Sequence, residues 1–189
     1  MSCTQTLSGI NTSCDSNVGG IVEVYAQNKA DIASMTVTDG KISAMTLTAG
    51  APAAAVLLFR KQTGSLVSTW NVDDAAGSKY VSSDLTLRFA KMETAKRTAV
   101  LALAHGETVL IVKDQNGLYW LVGYDNPVTL SAGGGNTGTA MGDANEYTLT
   151  LNDISRELPF EVASTAVTTF LMHNTTLQTY FCINIPLLG

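Results

Sequence analysis

The chain has 189 residues, 46% hydrophobic and only 14% charged, with a formal net charge of −5. That length suits one sizeable core and is short for two well-formed domains, and eleven scattered Lys and Arg on an acidic chain exclude a basic nucleic-acid-binding face. Charge well below the usual share of about a quarter, replaced by Thr, Ser, Gly, Ala and Asn, fits a β-rich protein packed against copies of itself. Residues 1–18 are polar, with Leu7 and Ile10 as possible anchors, and read as an N-terminal arm; residues 19–189 read as a single β-rich domain. Gly19-Gly20 opens a strand, Ile21 to Ala26, whose alternation sets Ile21, Glu23 and Tyr25 on one side and Val22, Val24 and Ala26 on the other.

Residues 32–48 form a hairpin turning at Asp39-Gly40, which sets Val37 opposite Ile42 and Met35 opposite Ala44. The continuous run Val56-Leu57-Leu58-Phe59 predicts a buried strand. Gly64 marks a turn before a strand at Leu66 to Val72, and Asp73 to Lys79 reads as a polar loop. Leu85, Leu87 and Phe89 then alternate with Thr86, Arg88 and Ala90, the period-two pattern of a half-buried strand.

From Met92 the period changes. Met92, Ala95, Ala99, Val100 and Leu103 recur at helical spacing, Glu93 lies four residues before Arg97, and Gly106 follows His105, so a helix is predicted over about 92–105. Val109 to Val112 and Leu118 to Val122 flank Asn116-Gly117, a type I′ hairpin signal. After Asp125-Asn126-Pro127 comes a short apolar segment, Val128 to Leu130. Residues 131–142 hold five glycines and read as a flexible Gly-rich loop tip. Tyr147, Leu149 and Leu151 mark a strand, Pro159 opens another at Phe160 to Ala163, and Ala166 to Met172 reads as helix or strand, its Val and Thr content favouring strand. Tyr180 to Ile185 forms the last strand, stopped by Pro186. Nine or ten short strands and one helix indicate a mainly β fold, an antiparallel β-sandwich or partly closed barrel with one flanking helix.

The residues that could carry chemistry have ordinary structural explanations. The run Gly133-Gly134-Gly135-Asn136-Thr137-Gly138-Thr139 lacks the Lys of a phosphate-binding loop and precedes a strand rather than a helix. His105 suits a helix C-terminus, and His173 precedes a polar loop; neither has metal-ligand neighbours in sequence. Cys3, Cys14 and Cys182 form no CxxC pair; a Cys3–Cys14 bridge is conceivable, but an odd count without a secretion signal favours free thiols in a reducing compartment. Asp114, Asp125, Asp143 and Asp153 fall at strand ends or turns, where Asp is common turn chemistry. Trp70 and Trp120 read as core or interface residues. No catalytic, cofactor-binding or metal-binding residue is assigned, no cofactor is expected, and the chain is not expected to be an enzyme. The apolar runs are too short for a membrane span, so a protein made in the cytoplasm is expected.

Several stretches resemble small virion structural proteins of tailed phages that infect Bacteroidetes. They are Leu7-Ser8-Gly9-Ile10 with Gly19-Gly20-Ile21 and Val24-Tyr25, Lys91-Met92-Glu93-Thr94-Ala95-Lys96-Arg97, Ile111-Val112-Lys113-Asp114, Gly123-Tyr124-Asp125-Asn126, Thr137-Gly138-Thr139-Ala140 to Asp143, and Tyr147-Thr148-Leu149-Thr150. The layout also looks like the tail-tube fold, a β-sandwich with one flanking helix. The resemblance implies a tail tube protein located in the virion tail and made in the host cytoplasm. Its partners would be identical subunits in stacked, usually hexameric, rings and other phage tail proteins. Genomic DNA would pass non-specifically through the channel, and no membrane would be engaged. The arm and the 131–142 loop are the expected ring-to-ring bridges. A tail terminator, head-completion or decoration protein, or a carbohydrate-binding β-sandwich, are the alternatives.

Overall fold

Each strand backbone needs hydrogen-bond partners, and among the described residues eleven strands meet that need by pairing into two sheets. The structure, a computed structural model, describes residues 9–10 and 14–172. Most of the N-terminal arm, the Tyr180 to Ile185 strand, Cys3, His173 and Cys182 lie outside the described residues. In chain order the elements are β1 (Ile21–Asn28), a 3₁₀ turn (Lys29–Asp31), β2 (Ile32–Thr38), β3 (Lys41–Leu47), β4 (Ala55–Leu57) and β5 (Ser65–Asp73). There follow β6 (Ser78–Ala90), α1 (Thr94–His105), β7 (Thr108–Asp114), β8 (Tyr119–Val122), β9 (Thr129–Asn136), β10 (Glu146–Ser155), β11 (Phe160–Val162) and α2 (Ser164–Met172). The larger sheet runs β2-β3-β11-β8-β7-β1-β4 and the smaller β5-β6-β10-β9, with only the β3–β11 pair parallel. The fold is mainly β and sandwich-like, and neither sheet closes into a barrel.

Strand β7 shows why two cores form. Its run Val109-Leu110-Ile111-Val112 is buried on both faces, as expected of a strand covered on two sides. Leu110 and Val112 join Val24, Leu85, Leu87, Leu149 and Leu151 in the core between the sheets. Val109 and Ile111 join Tyr25, Ile42, Leu121 and Val162 on the other face, where Ala166, Val167 and Phe170 of α2 complete a second core. Helix α1 buries Leu103 in the first core and flanks β9.

Bulges correct the simple alternation. A register shift at Val22 puts Ile21 in the inter-sheet core with Val24 and Ala26, not beside Tyr25. In the first hairpin Asp39 (φ 52°) and Gly40 (φ 75°) make the expected two-residue turn, and Val37 faces Ile42. Ser43 is then skipped, so Met35 faces Met45 rather than Ala44, and Ile42 and Met45 are both buried though three residues apart. The second hairpin is not type I′. Only Gly117 has positive φ (83°), Gly117 donates to the Asp114 carbonyl at 3.2 Å, and a three-residue loop with a left-handed glycine results.

Three larger expectations are overturned. The Val56 to Phe59 run is not a buried strand; β4 is three residues long, lies at a sheet edge and buries only Leu57. Residues 131–136 are not loop but part of β9, paired along β10 from Thr129↔Asn152 to Asn136↔Glu146. The glycines mislead because neighbours fill their side-chain space: a Cβ on Gly133 would lie 2.9 Å from Leu149 Cδ2, and one on Gly135 2.6 Å from Met92 Cε. Residues 166–172 belong to a helix, so two helices rather than one accompany the sheets. Here burial of Ala166, Val167 and Phe170 on one helical face overrides the strand preference of Val and Thr. The 73–79 loop also shrinks, because β5 and β6 pair out to Asp73↔Ser78.

Candidate functional site

Open sheets leave free edges, and natural edges are blunted by charge, proline, bulges or cover. The sandwich has four edges: β2, β4, β5 and β9. Strand β2 is bulged and exposes Ser34, Thr36 and Thr38. Strand β9 presents glycines, and β5 alternates polar residues with Val67, Trp70 and Val72, each more than half exposed, and ends on Asp73. Strand β4 differs. All three of its residues are apolar, and the run that continues past it leaves Val56 50% and Leu58 80% exposed. Val56 is the ladder partner of Tyr25 and therefore projects from the α2-bearing face.

A second feature lies at the end of the sandwich where β8 leaves the larger sheet for β9. The inner face of the smaller sheet changes there from apolar to polar, with Ser68, Ser83 and Asp153 in register across three strands. Ser68 and Ser83 share a hydrogen bond of 2.8 Å. Asp153 is 3% exposed; its Oδ2 accepts the Gly123 N–H at 3.1 Å, while Oδ1 has no hydrogen-bond donor. The nearby Ser155 hydroxyl donates to the Glu157 carbonyl instead. Lys29 Nζ donates to the carbonyls of Gly123 and Tyr124, and Asp125 Oδ2 accepts the Arg156 N–H at 3.1 Å. Gly123 itself has φ 98°, and a Cβ there would sit 2.9 Å from Val128 Cγ2. Together these contacts fasten the crossover between the two sheets.

Burial raises the Asp153 pKa, with Asp125 adding to the effect, and burial lowers that of Lys29. The folded state therefore holds a proton on Asp153 over a window in which the unfolded chain, with an ordinary Asp pKa of about 3.9, has released it. Stability from this group is full below that value and is lost as pH rises through the raised one. Glu23 acts oppositely: the Tyr25 hydroxyl bond and Lys113 lower its pKa, so its contribution is lost as pH falls. Asp153→Asn should thus gain stability relative to wild type as pH rises from 4 to 8, measured by urea unfolding; a pH-independent difference would refute this account.

The other residues considered from sequence are dispersed. Asp114 accepts the Leu118 N–H and the Trp120 indole N–H at 3.1 Å, and Asp143 accepts the Thr139 and Ala140 N–H groups at 2.7 Å. His105 and Cys14 are exposed. Trp120 is half-buried, whereas Trp70 is exposed. The β4 edge was misread as core because its apolar run is continuous. The Asp153 cluster had no local signal, because Lys29, Asp125 and Asp153 are far apart in the chain. Among the described residues no three His, Cys, Asp or Glu side chains group as a metal site, and no helix is long and apolar enough to cross a membrane. No known protein family, curated protein or solved structure matches the chain significantly.

Proposed function

We propose that this chain is a structural subunit of a tailed-phage virion that works by assembling with identical copies, and that its station is the tail tube. One observation carries the reading: the apolar edge strand β4, with its Val56 and the adjoining Leu58 exposed. A short edge with neither charge nor bulge still offers apolar surface for pairing, and contacts made between different patches of the same chain close into rings when the rotation allows. The scarcity of charge over the whole chain supports the same role. A net charge of −5 on each subunit, repeated around a channel, would keep DNA phosphates from adhering to its wall. In this reading the chain is not an enzyme and needs no cofactor, and other tail proteins meet the tube at its ends.

The test is size-exclusion chromatography with light scattering, followed by negative-stain microscopy of the purified chain. A tube protein should give rings that stack with rising concentration. Single rings that never stack would instead favour a tail-terminator or head-completion role. The exposed Trp70 keeps a carbohydrate-binding β-sandwich as the second reading. That reading requires a chain that stays single at high concentration and binds a sugar.

A further inference from the structure

The β5–β6 hairpin outruns the sheet it belongs to. The β6–β10 ladder ends at Val81↔Ser155, but β5 and β6 continue through three more rungs to Asp73↔Ser78 before the turn at 74–77. Three rungs at roughly 3.3 Å make a two-stranded overhang of about 10 Å. Two-stranded ribbons are marginal in water unless something covers them. This one carries Val72 56% and Tyr80 41% exposed on opposite faces, and Trp70, 52% exposed, sits at its base on the Val72 face, in the last rung shared with β10. Its turn adds Asp73 and Asp74. Asp73 is occupied, since its Oδ1 accepts the Ala75 and Ala76 N–H groups, whereas Asp74 is exposed.

The opposite end of the same strands has the complementary character. Where β5 begins, Ile21, Val22, Phe59, Lys61, Gln62 and Gln115 line a recess of about 430 Å³ with an apolar floor. Six of the eleven Lys and Arg lie at this end of the smaller sheet: Arg60, Lys61, Arg88, Lys91, Lys96 and Arg97. Glu93, Glu146, Asp143 and, beside the recess, Asp114 offset them in part; Glu146 lies 3.3 Å from Arg88 and 3.8 Å from Arg60, and Glu93 2.8 Å from Lys96 and 3.3 Å from Lys91. At the hairpin end, Asp73, Asp74, Asp125 and Glu157 outnumber Lys29, Lys79 and Arg156. The molecule is therefore polarised along its strands, with an acidic, apolar-sided projection at one end and a basic-rimmed apolar recess at the other. A projection and a recess on one chain make a head-to-tail contact, and opposite charge fixes its direction.

We infer that copies stack along the strand axis, the β5–β6 hairpin of one seating over the recess around Ile21, Phe59 and Lys61 of the next. This rests on the self-assembly reading and assigns its axial contact, leaving the β4 edge for contacts between neighbours side by side. Asp74→Lys and Lys61→Glu test it. Each alone places like charges together and should raise the concentration needed for stacking at least tenfold while rings still form. Mixed in equal amounts, the two variants should co-assemble, because each supplies the partner charge that the other has lost. Lys61→Gln, which removes charge without reversing it, should show a smaller effect. Thermal unfolding of each variant checks that the fold is kept. Stacks that persist in both single variants, or a mixture no better than its components, overturn the inference alone. A wild-type chain that never assembles overturns the self-assembly reading and this inference with it.

Discussion

Replacing Phe170 with alanine is expected to cost about 3–5 kcal/mol of folding stability, a fall of roughly 6–20 °C in melting temperature for a chain of this size. Phe170 is 1% exposed and is among the largest side chains in the core between α2 and the seven-stranded sheet. That core lies on the far side of the sheet from its partner sheet, so α2 is its cover. Truncating the aromatic ring leaves a cavity that a sheet held by β1, β7 and β8 cannot collapse to fill. Two neighbours make the test specific to a helix. In a strand, residues 166, 168 and 170 would share a face; in a helix, 166, 167 and 170 do. Val167 is 2% exposed and Thr168 is exposed, its hydroxyl bonded back to the carbonyls of Ser164 and Thr165. Val167→Ala should therefore be clearly destabilising, and Thr168→Ala should stay within about 0.5 kcal/mol of wild type. The reverse ranking in urea or thermal unfolding would mean that the segment does not pack as α2.

The same segment shows where sequence pattern stops being informative. Elements with a clean period and a local turn signal were legible: Leu85 to Phe89, the helix after Met92, the Tyr147 to Leu151 strand and the Asp39-Gly40 turn all form as expected. Legibility failed where distant residues decide. Gly133 and Gly135 look like loop until Leu149, Tyr147 and Met92 occupy the space beside them. Val56 and Leu58 look like core until the sheet order places β4 outermost. Ser43 and Val22 look like ordinary alternating positions, and only the partner strand's register shows them to be bulges. The candidate site was the least legible part. Edge position is a property of topology, and the polarity of the two ends depends on which strand termini lie together. The earlier expectation that residues 131–142 form a free bridging loop also has to be narrowed. Only 137–145 lies outside regular strands there, and Asp143 organises its start through the Thr139 and Ala140 amides.

Lysine at both Val56 and Leu58 is expected to abolish side-by-side association while leaving the subunit folded. Both residues are at least half exposed, so the fold itself should change little, by less than about 1 kcal/mol. Association is different, because burying a Val or Leu side chain contributes about 1.5–3 kcal/mol each, and lysine on an edge strand opposes pairing directly. Half of that contribution from the two sites is about 1.5–3 kcal/mol, a rise of roughly ten- to a hundredfold in the concentration at which rings form. Thr36→Lys on the β2 edge supplies the control: it adds a lysine to the other border of the same sheet, beside the exposed polar residues Ser34 and Thr38. Light scattering across a concentration series should show the β4 variant single where wild type and the β2 variant form rings. The pattern also separates the two contacts, since the β4 variant should lose rings, whereas Asp74→Lys should keep rings and lose stacks. Rings that survive lysine at Val56 and Leu58 but not at Thr36 would place the lateral contact on the wrong edge. Survival in both would remove the edge strands from the assembly altogether.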